Sequence, residues 1–186
     1  MIGAILAGAY GDVAPQGDFE SIATVTVGSG GTLNVEFTSI PSTYQHLQIR
    51  ALTRATAGSF QNIIMRVNSD TGSNYNWHYL EGVGSGTPIS SNSPNDTSIY
   101  LAQEPGSTQA TDIFGTFIVD ILDYKDTNKF KTVRSLSGVD ANGSGRTQFW
   151  SGAWRSSSAI TSILFRSDAS NNFAQYTHFA LYGIKG

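Results

Sequence analysis

The stretch His46-Leu-Gln-Ile-Arg-Ala51 decides the fold of this sequence. Its apolar residues, at positions 47, 49 and 51, alternate with polar residues at positions 46, 48 and 50. A period of two places the two sets of side chains on opposite faces of a β-strand. The same alternation returns in Thr116-Phe-Ile-Val-Asp-Ile121 and in other short segments of the chain.

Clusters of Gly, Ser, Asn, Asp and Pro separate these segments and predict the turns between strands. The pattern predicts an all-β protein, an antiparallel β-sandwich of jelly-roll type that occupies residues 19–186. We expect strands near residues 20–27, 32–37, 46–53, 60–67, 75–81, 97–102, 112–122, 131–138, 147–155, 160–166 and 172–184.

Glycine-containing segments predict the local connections. The segments 28–31, 70–72 and 140–143 are typical of hairpin turns, because Gly readily adopts a positive φ. The stretch 82–94 is rich in Gly and Ser, contains two prolines and lacks alternation, so it predicts a long exposed loop.

Residues 1–18 are predicted to form an N-terminal extended arm that precedes the sandwich. The arm begins with an apolar, uncharged stretch, in which Ile2, Ile5, Leu6 and Tyr10 are the side chains expected to contact a partner. A secretory signal peptide is the less favoured interpretation, because the stretch lacks a basic region at its start. Pairing as an edge strand, on its own body or on a neighbouring subunit, would supply the hydrogen bonds that order it.

The composition excludes several classes of function. The chain has 186 residues, of which 13% are charged, a net charge of −3 and no cysteine. It therefore has no disulfide, thiolate nucleophile or Cys-based zinc site. The weak negative charge gives no electrostatic basis for binding nucleic acid, and no apolar run approaches the roughly 18 residues of a membrane span. A surface with so little charge suits close packing against other proteins.

No catalytic set is evident in the sequence. The three histidines lie apart in predicted strands, which favours structural roles over metal binding. Asp120, Asp123 and Asp126 would share a face of a helix, and paired carboxylates can carry out glycoside hydrolysis. The β-branched residues around them favour strand instead, and 126–128 favours a turn. The loop 68–74 is similar to a calcium loop without its closing glutamate. We therefore predict no enzymatic activity, no metal and no cofactor.

Aromatic residues form the more informative set. Tyr75, Trp77 and Tyr79 share one face of a predicted strand, and Trp150 and Trp154 share a face of another. Because one face of each strand must be core, most of these rings are expected to be packed. The alternative is that some of them line a groove that contacts a carbohydrate or a partner protein.

Several blocks of the sequence carry a family resemblance. The blocks are 39–50, 70–84, 119–124, 138–145 and 179–184, and they cover most of the chain after about residue 19. Taken in order, they resemble virion structural proteins of tailed bacteriophages, a group that includes capsid decoration (cement) proteins and tail-associated β-sandwich proteins. The resemblance does not extend to residues 1–18.

The resemblance implies a virion structural protein, located on the capsid surface or the tail, with no catalytic residues. The favoured role is a capsid decoration protein that binds and stabilises the outer shell through protein–protein contacts. Its partners would be the major capsid protein or tail proteins, and its copies would associate, by analogy with viral jelly rolls as a trimer. The alternative role is a tail-associated or tail-fibre module that binds host-surface carbohydrate.

Overall fold

The computed structural model describes residues 17–84 and 86–186. These residues form two antiparallel sheets that pack as a β-sandwich, as predicted. They contain no helix, and hence none that could span a membrane. The predicted arm residues Ile2, Ile5, Leu6 and Tyr10 lie outside the described residues. The strands are β1 (Phe19–Thr26), β2 (Asn34–Phe37), β3 (His46–Thr53), β4 (Phe60–Val67), β5 (Tyr75–Val83), β6 (Ile89–Asp96), β7 (Ile99–Pro105), β8 (Gly115–Leu122), β9 (Lys131–Val139), β10 (Arg146–Trp154), β11 (Ile163–Ser167) and β12 (His178–Ile184).

The pairing of the strands identifies the sandwich as a jelly roll. β1 pairs with β12, β2 with β11, β3 with β8 and β4 with β7, all antiparallel. Each pair lies inside the previous one in the sequence, as in one long hairpin, and successive pairs belong alternately to the two sheets. A long hairpin rolled up in this way is the jelly-roll arrangement, so the predicted fold is confirmed.

Two further hairpins are inserted into the jelly roll. In sequence, β5–β6 lies between β4 and β7, and β9–β10 lies between β8 and β11. Both join the same sheet, whose order becomes β1-β12-β3-β8-β9-β10-β5-β6, while the other sheet keeps the order β2-β11-β4-β7. At about 4.8 Å between strands, the larger sheet is about 34 Å wide and the smaller about 14 Å.

A cluster of phenylalanine rings joins the two sheets. Phe165 of β11 packs against Phe117 of β8 and Phe179 of β12, with centroid distances of 6.5 and 5.1 Å. Phe37 and Phe173 extend the cluster at 6.4 Å from Phe165 and 5.2 Å from Phe179. All five rings are at most 4% exposed. Phe165 is therefore the aromatic ring of the smaller sheet that packs against rings of the larger one.

Some predictions about connections are wrong. The turns at 28–31 and 70–72 join strands in different sheets, because the jelly roll sends the chain across the sandwich at both places. The turn at 140–143 does close a paired hairpin, with positive φ at Asn142 and Gly143. The predicted loop 82–94 contains most of β6, an edge strand. Its side chains are largely exposed on both faces, so no apolar alternation marks it.

One buried carboxyl group lies on β7. Glu104 has no exposed surface, and neither of its carboxylate oxygens has a hydrogen-bond partner among the described residues. Burial raises the pKa of this carboxyl well above its usual value, and the nearby Thr53 hydroxyl offsets only part of that shift. The folded state therefore favours the protonated acid at this position.

We expect Phe165→Ala to lower the free energy of unfolding by about 3–5 kcal/mol, because it removes buried apolar area and leaves a cavity between the sheets. Urea unfolding followed by circular dichroism measures the change. Phe130→Ala is the matched control, since Phe130 is 57% exposed and its loss should change stability by less than about 0.5 kcal/mol. Equal stability of the two variants would contradict the role of Phe165 in packing the two sheets together.

We expect Glu104→Gln to change how stability depends on pH. The native carboxyl holds its proton above pH 4.5, its ordinary value, whereas the unfolded chain releases it. The free energy of unfolding of the wild type should therefore fall as the pH rises from this value to the raised pKa, by up to about 1.4 kcal/mol per pH unit.

The glutamine variant removes that fall, so wild type and variant should diverge with rising pH. Urea unfolding at a series of pH values measures the difference, and Glu36→Gln, at an exposed position, is the control. Parallel pH profiles for wild type and Glu104→Gln would show that Glu104 is not protonated on folding.

Candidate functional site

An aromatic cleft lies at the edge of the smaller sheet. β7, the edge strand of that sheet, lies over β8, β9 and β10, and the inserted strands β5 and β6 continue beyond it. The uncovered inner face of these strands and the edge of β7 form the walls of a recess of about 270 Å³. The residues that line it, called the aromatic cleft below, are Asn62, Trp77, Tyr79, Ser91, Tyr100, Gln103 and Trp150.

The four aromatic rings of the cleft contact one another. Trp150 lies 4.4 Å from Tyr79, 5.7 Å from Trp77 and 6.2 Å from Tyr100, measured between ring centroids. Trp77 also lies 5.0 Å from Tyr100, and its indole nitrogen donates a hydrogen bond of 2.9 Å to Asp96. Trp150 is 3% exposed, whereas the other three rings are half-buried. The rings thus form one packed cluster with a partly accessible surface.

A hydrogen-bonded network holds the polar side of the cleft. Gln103 donates to Asn62 Oδ1 at 2.7 Å and accepts from the Arg146 guanidinium, which also contacts Glu81 at 3.4 Å. Gln148 donates to Glu81 and accepts from the Gln103 backbone N–H at 2.9 Å. These bonds fix the orientation of the Asn62 and Gln103 side-chain amides, which line the cleft. Asn62 Oδ1 accepts from Gln103, and the Gln103 oxygen accepts from Arg146.

One buried donor in the cleft has no partner. The indole N–H of Trp150 is buried and forms no hydrogen bond with the described residues. Burying a hydrogen-bond donor without an acceptor costs about 1–3 kcal/mol.

Gly152, two residues further along the same face of β10, explains how β7 comes so close to this strand. A Cβ at Gly152 would lie 2.6 Å from Ile99 Cγ2, so only glycine fits there.

The structure separates the five aromatic residues singled out in the sequence. Trp77, Tyr79 and Trp150 come together in the cleft. Tyr75 and Trp154 lie in the core instead, 0% and 3% exposed, and neither lines the recess. They share strand faces with the cleft residues, as predicted, but lie deeper inside the sandwich.

Tyr75 and Trp154 hold a loop rather than a ligand. The Tyr75 hydroxyl donates to the Asp70 carbonyl at 3.0 Å, and Trp154 Nε1 donates to the Asp70 carboxylate at 2.7 Å. Burial raises the pKa of Tyr75 to about 12. The hydrogen bonds from Trp154, Asn74 and the Gly72 backbone lower the pKa of Asp70. The loop considered for calcium is thus an Asx turn whose carboxylate is occupied by protein donors.

Sequence reasoning missed four residues of the cleft: Asn62, Ser91, Tyr100 and Gln103. Asn62 and Gln103 lie on paired strands β4 and β7, and Ser91 lies on the strand that was predicted as a loop. Burial and the neighbouring Asp168 carboxylate raise the pKa of Tyr100, so its hydroxyl stays protonated. None of these residues belongs to a local motif, and only the fold brings them to the aromatic rings.

A second surface lies on the opposite, outer face of the larger sheet. Four apolar side chains stand directly opposite one another on neighbouring strands, in the order β8, β9, β10 and β5. Their exposure of 39–56% is high for large apolar residues. A depression of about 360 Å³ lies beside the first three of them. This surface, called the apolar row below, consists of Ile118, Leu136, Phe149 and Leu80.

Polar residues border the apolar row on one side. The neighbouring positions on β8 and β9 are Asp120 and Arg134, which form an ion pair at 3.1 Å, and Gln48 donates to Asp120 at 2.9 Å. On the other side the positions facing outward are small, with Thr116, Gly138 and Thr147 in register. The apolar row therefore lies between polar and charged side chains on one side and small side chains on the other.

Most of the remaining residues considered for chemistry are engaged in structural contacts, whereas His78 is exposed on β5, contrary to the structural role expected for it. His46 Nδ1 accepts from the Asp123 backbone N–H at 2.9 Å, and His178 Nδ1 lies 3.0 Å from the Thr26 hydroxyl. Lys129 bonds to the Asp123 carboxylate and lowers its pKa. Within residues 17–84 and 86–186, no group of three or more His, Asp or Glu side chains could hold a metal ion.

The apolar row and the aromatic cleft are the two candidate functional surfaces of the described chain. They lie on opposite faces of the same strands, since Phe149 and Trp150 are consecutive on β10, as are Tyr79 and Leu80 on β5. One surface is suited to protein contact and the other to a small ligand. No family model, curated protein or solved structure matches the chain.

Proposed function

We propose that the chain is a virion structural protein of a tailed bacteriophage, and that it decorates the outer shell by binding the major capsid protein. The apolar row is the observation that carries this proposal. The low charge of the chain and the sequence resemblance to virion structural proteins support it. The proposal assigns the protein a role in contact and attachment, with no chemistry of its own.

The apolar row has the character of a contact surface. Isolated exposed apolar residues are ordinary on protein surfaces, but a contiguous strip marks an interaction site. The row spans four strands, or about 14 Å, and its side chains stand on a rigid sheet that needs no ordering before it binds. The Asp120–Arg134 ion pair at its border is satisfied within the chain, and exposed Arg50 of β3, in register with Ile118, places a positive charge at that end of the row.

The size of the row favours a partner that is repeated on a shell. Four side chains are fewer than the 20–30 residues that each partner contributes to a typical stable interface. A weak contact suffices when many copies bind a repeating lattice, because each attached copy is held by several neighbours. The major capsid protein supplies such a lattice, whereas a soluble single-copy partner does not.

Two sequence predictions belong to the same proposal. The N-terminal arm, with Ile2, Ile5 and Leu6, would add a second apolar contact beside the sandwich. Association of copies, with a trimer as the expected form, would multiply the attachment further. A tail-fibre module that binds host carbohydrate is the second candidate function, and the aromatic cleft is the observation that favours it.

We expect the double variant Leu136→Ser/Phe149→Ser to attach poorly to phage particles. Burying each of these side chains at a contact contributes about 1.5–3 kcal/mol, so the variant should bind at least about tenfold more weakly than the wild type. The measurement uses the phage whose genome encodes this chain. Particles are prepared from a mutant of that phage in which the gene for the chain is deleted. Purified protein is added back, and the bound copies are quantified after sedimentation.

Leu122→Ser is the matched control, because Leu122 is 46% exposed on the same face of β8 but lies outside the apolar row. It should attach as well as the wild type. Mass spectrometry of complete particles must also detect the chain in many copies. Absence of the chain from particles would contradict the virion role. Loss of self-association alone, seen by light scattering with attachment unchanged, would assign the row to contacts between copies.

A further inference from the structure

We propose that the aromatic cleft binds one ring of a neutral carbohydrate. This inference stands on the cleft alone and does not depend on the virion role. Aromatic rings offer flat apolar faces against which the C–H groups of a sugar ring can pack, while neighbouring amides and hydroxyls bond to its hydroxyl groups. The cleft provides both kinds of group within one recess of about 270 Å³, near the lower size limit of ligand pockets.

The lining of the cleft selects for a neutral ligand. None of its seven residues is charged. The nearest cation on the polar side, Arg146, is already engaged by Gln103 and Glu81. A phosphate or carboxylate would enter without a cationic partner, and burying such a charge unpaired is strongly unfavourable. Four aromatic rings next to two amides instead match a ligand that is apolar on its faces and polar at its edges.

The packing of the rings argues against a cationic ligand. An aromatic cage places a trimethylammonium group within about 6 Å of several ring centroids, with the rings standing apart around it. Here the rings contact each other directly, at centroid distances of 4.4 Å for Tyr79 and Trp150 and 5.0 Å for Trp77 and Tyr100. They stack on and tilt against one another, with interplanar angles of 20–62°, and the half-buried rings of Trp77, Tyr79 and Tyr100 border the recess as surfaces on which a sugar ring can pack.

The same compactness argues against a proline-rich peptide. A polyproline helix advances about 9 Å per turn and needs a groove in which aromatic rings are spaced along its length. The cleft is a single recess built on one cluster of rings, so it accommodates one ring-sized group. An extended peptide would contact the cleft with one residue and leave the rest of its length without a groove.

Unpartnered donors supply the polar half of the site. The Trp150 N–H forms no hydrogen bond with the described residues and its nitrogen is fully buried, so a sugar hydroxyl reaches it as an acceptor only when the rings around it shift. Asn62 accepts through Oδ1 from Gln103, which leaves its amide N–H groups for a ligand. Because the network fixes both amides before binding, little conformational freedom is lost when a sugar enters.

The experiment titrates the full-length protein with a panel of neutral sugars and follows tryptophan fluorescence, since two tryptophans line the cleft. The panel contains glucose, galactose, mannose, rhamnose, N-acetylglucosamine and N-acetylgalactosamine, each also as a short oligosaccharide. We expect at least one sugar to bind with a Kd of about 1 mM or lower. Isothermal titration calorimetry confirms the stoichiometry of one site per chain.

Two variants test the residues. Tyr79→Ala removes a half-buried ring of the cleft and should weaken binding at least about tenfold. Trp150→Phe keeps an aromatic ring but removes the N–H, and should weaken binding about threefold to tenfold. If either variant fails to fold by circular dichroism, Asn62→Ala replaces it, because Asn62 is only half-buried. Phe130→Ala, an exposed ring outside the cleft, is the control and should bind like the wild type.

Several outcomes would overturn the proposal. They are the absence of binding for every sugar at about 10 mM, or binding that Tyr79→Ala and Trp150→Phe leave unchanged. Preferential binding of choline or of a proline-rich peptide, tested in the same titration, would assign the cleft to a different ligand class. Sugar binding that is weakened by the cleft variants and unchanged by the control would support the proposal.

Discussion

The unequal width of the two sheets is the constraint on which the rest of the structure depends. The jelly roll by itself pairs four strands with four, and each sheet would cover the other. Both inserted hairpins extend the same sheet, so the smaller sheet ends at β7 while the larger one continues through β10, β5 and β6. The inner face of the added strands must then be covered by their own side chains. The interlocked rings of Trp77, Tyr79 and Trp150 provide that cover.

Side chains of the larger sheet also cover part of the exposed edge of β7. An edge strand presents backbone groups that have no strand partner. Gln148 reaches from β10 and accepts the hydrogen bond of the Gln103 N–H, so a side chain replaces part of the missing strand. Its other end is held by Glu81, whose charge is in turn balanced by Arg146. The network therefore closes the sandwich at its open side and positions the amides of the cleft with the same bonds.

The sequence predicts those parts of the fold that depend on local alternation. The strands at 46–53 and 60–67 are predicted at their observed bounds. Apolar and polar residues alternate along the first, whereas the second has three consecutive buried residues, 63–65, next to a β-bulge. β6 is missed because neither of its faces is buried, and the turns at 28–31 and 70–72 show that a glycine turn specifies a reversal but not the sheet of the next strand. Alternation also finds the shared face of Tyr75, Trp77 and Tyr79. Alternation does not show which part of this face the smaller sheet covers. The edge of that sheet, at β7, decides which rings lie in the core and which line the cleft.

The alternation of side chains along β10 and β5 places the apolar row and the aromatic cleft on opposite faces of the same strands. Phe149 and Leu80 point away from the sandwich, and their immediate neighbours Trp150 and Tyr79 point into the cleft. A copy that lies with its outer sheet face against a support therefore turns the cleft toward the surrounding medium, without any hinge or linker. The thickness of one β-sheet separates the surface proposed for attachment from the cleft proposed for ligand binding. A change of one residue in register along either strand would exchange the two.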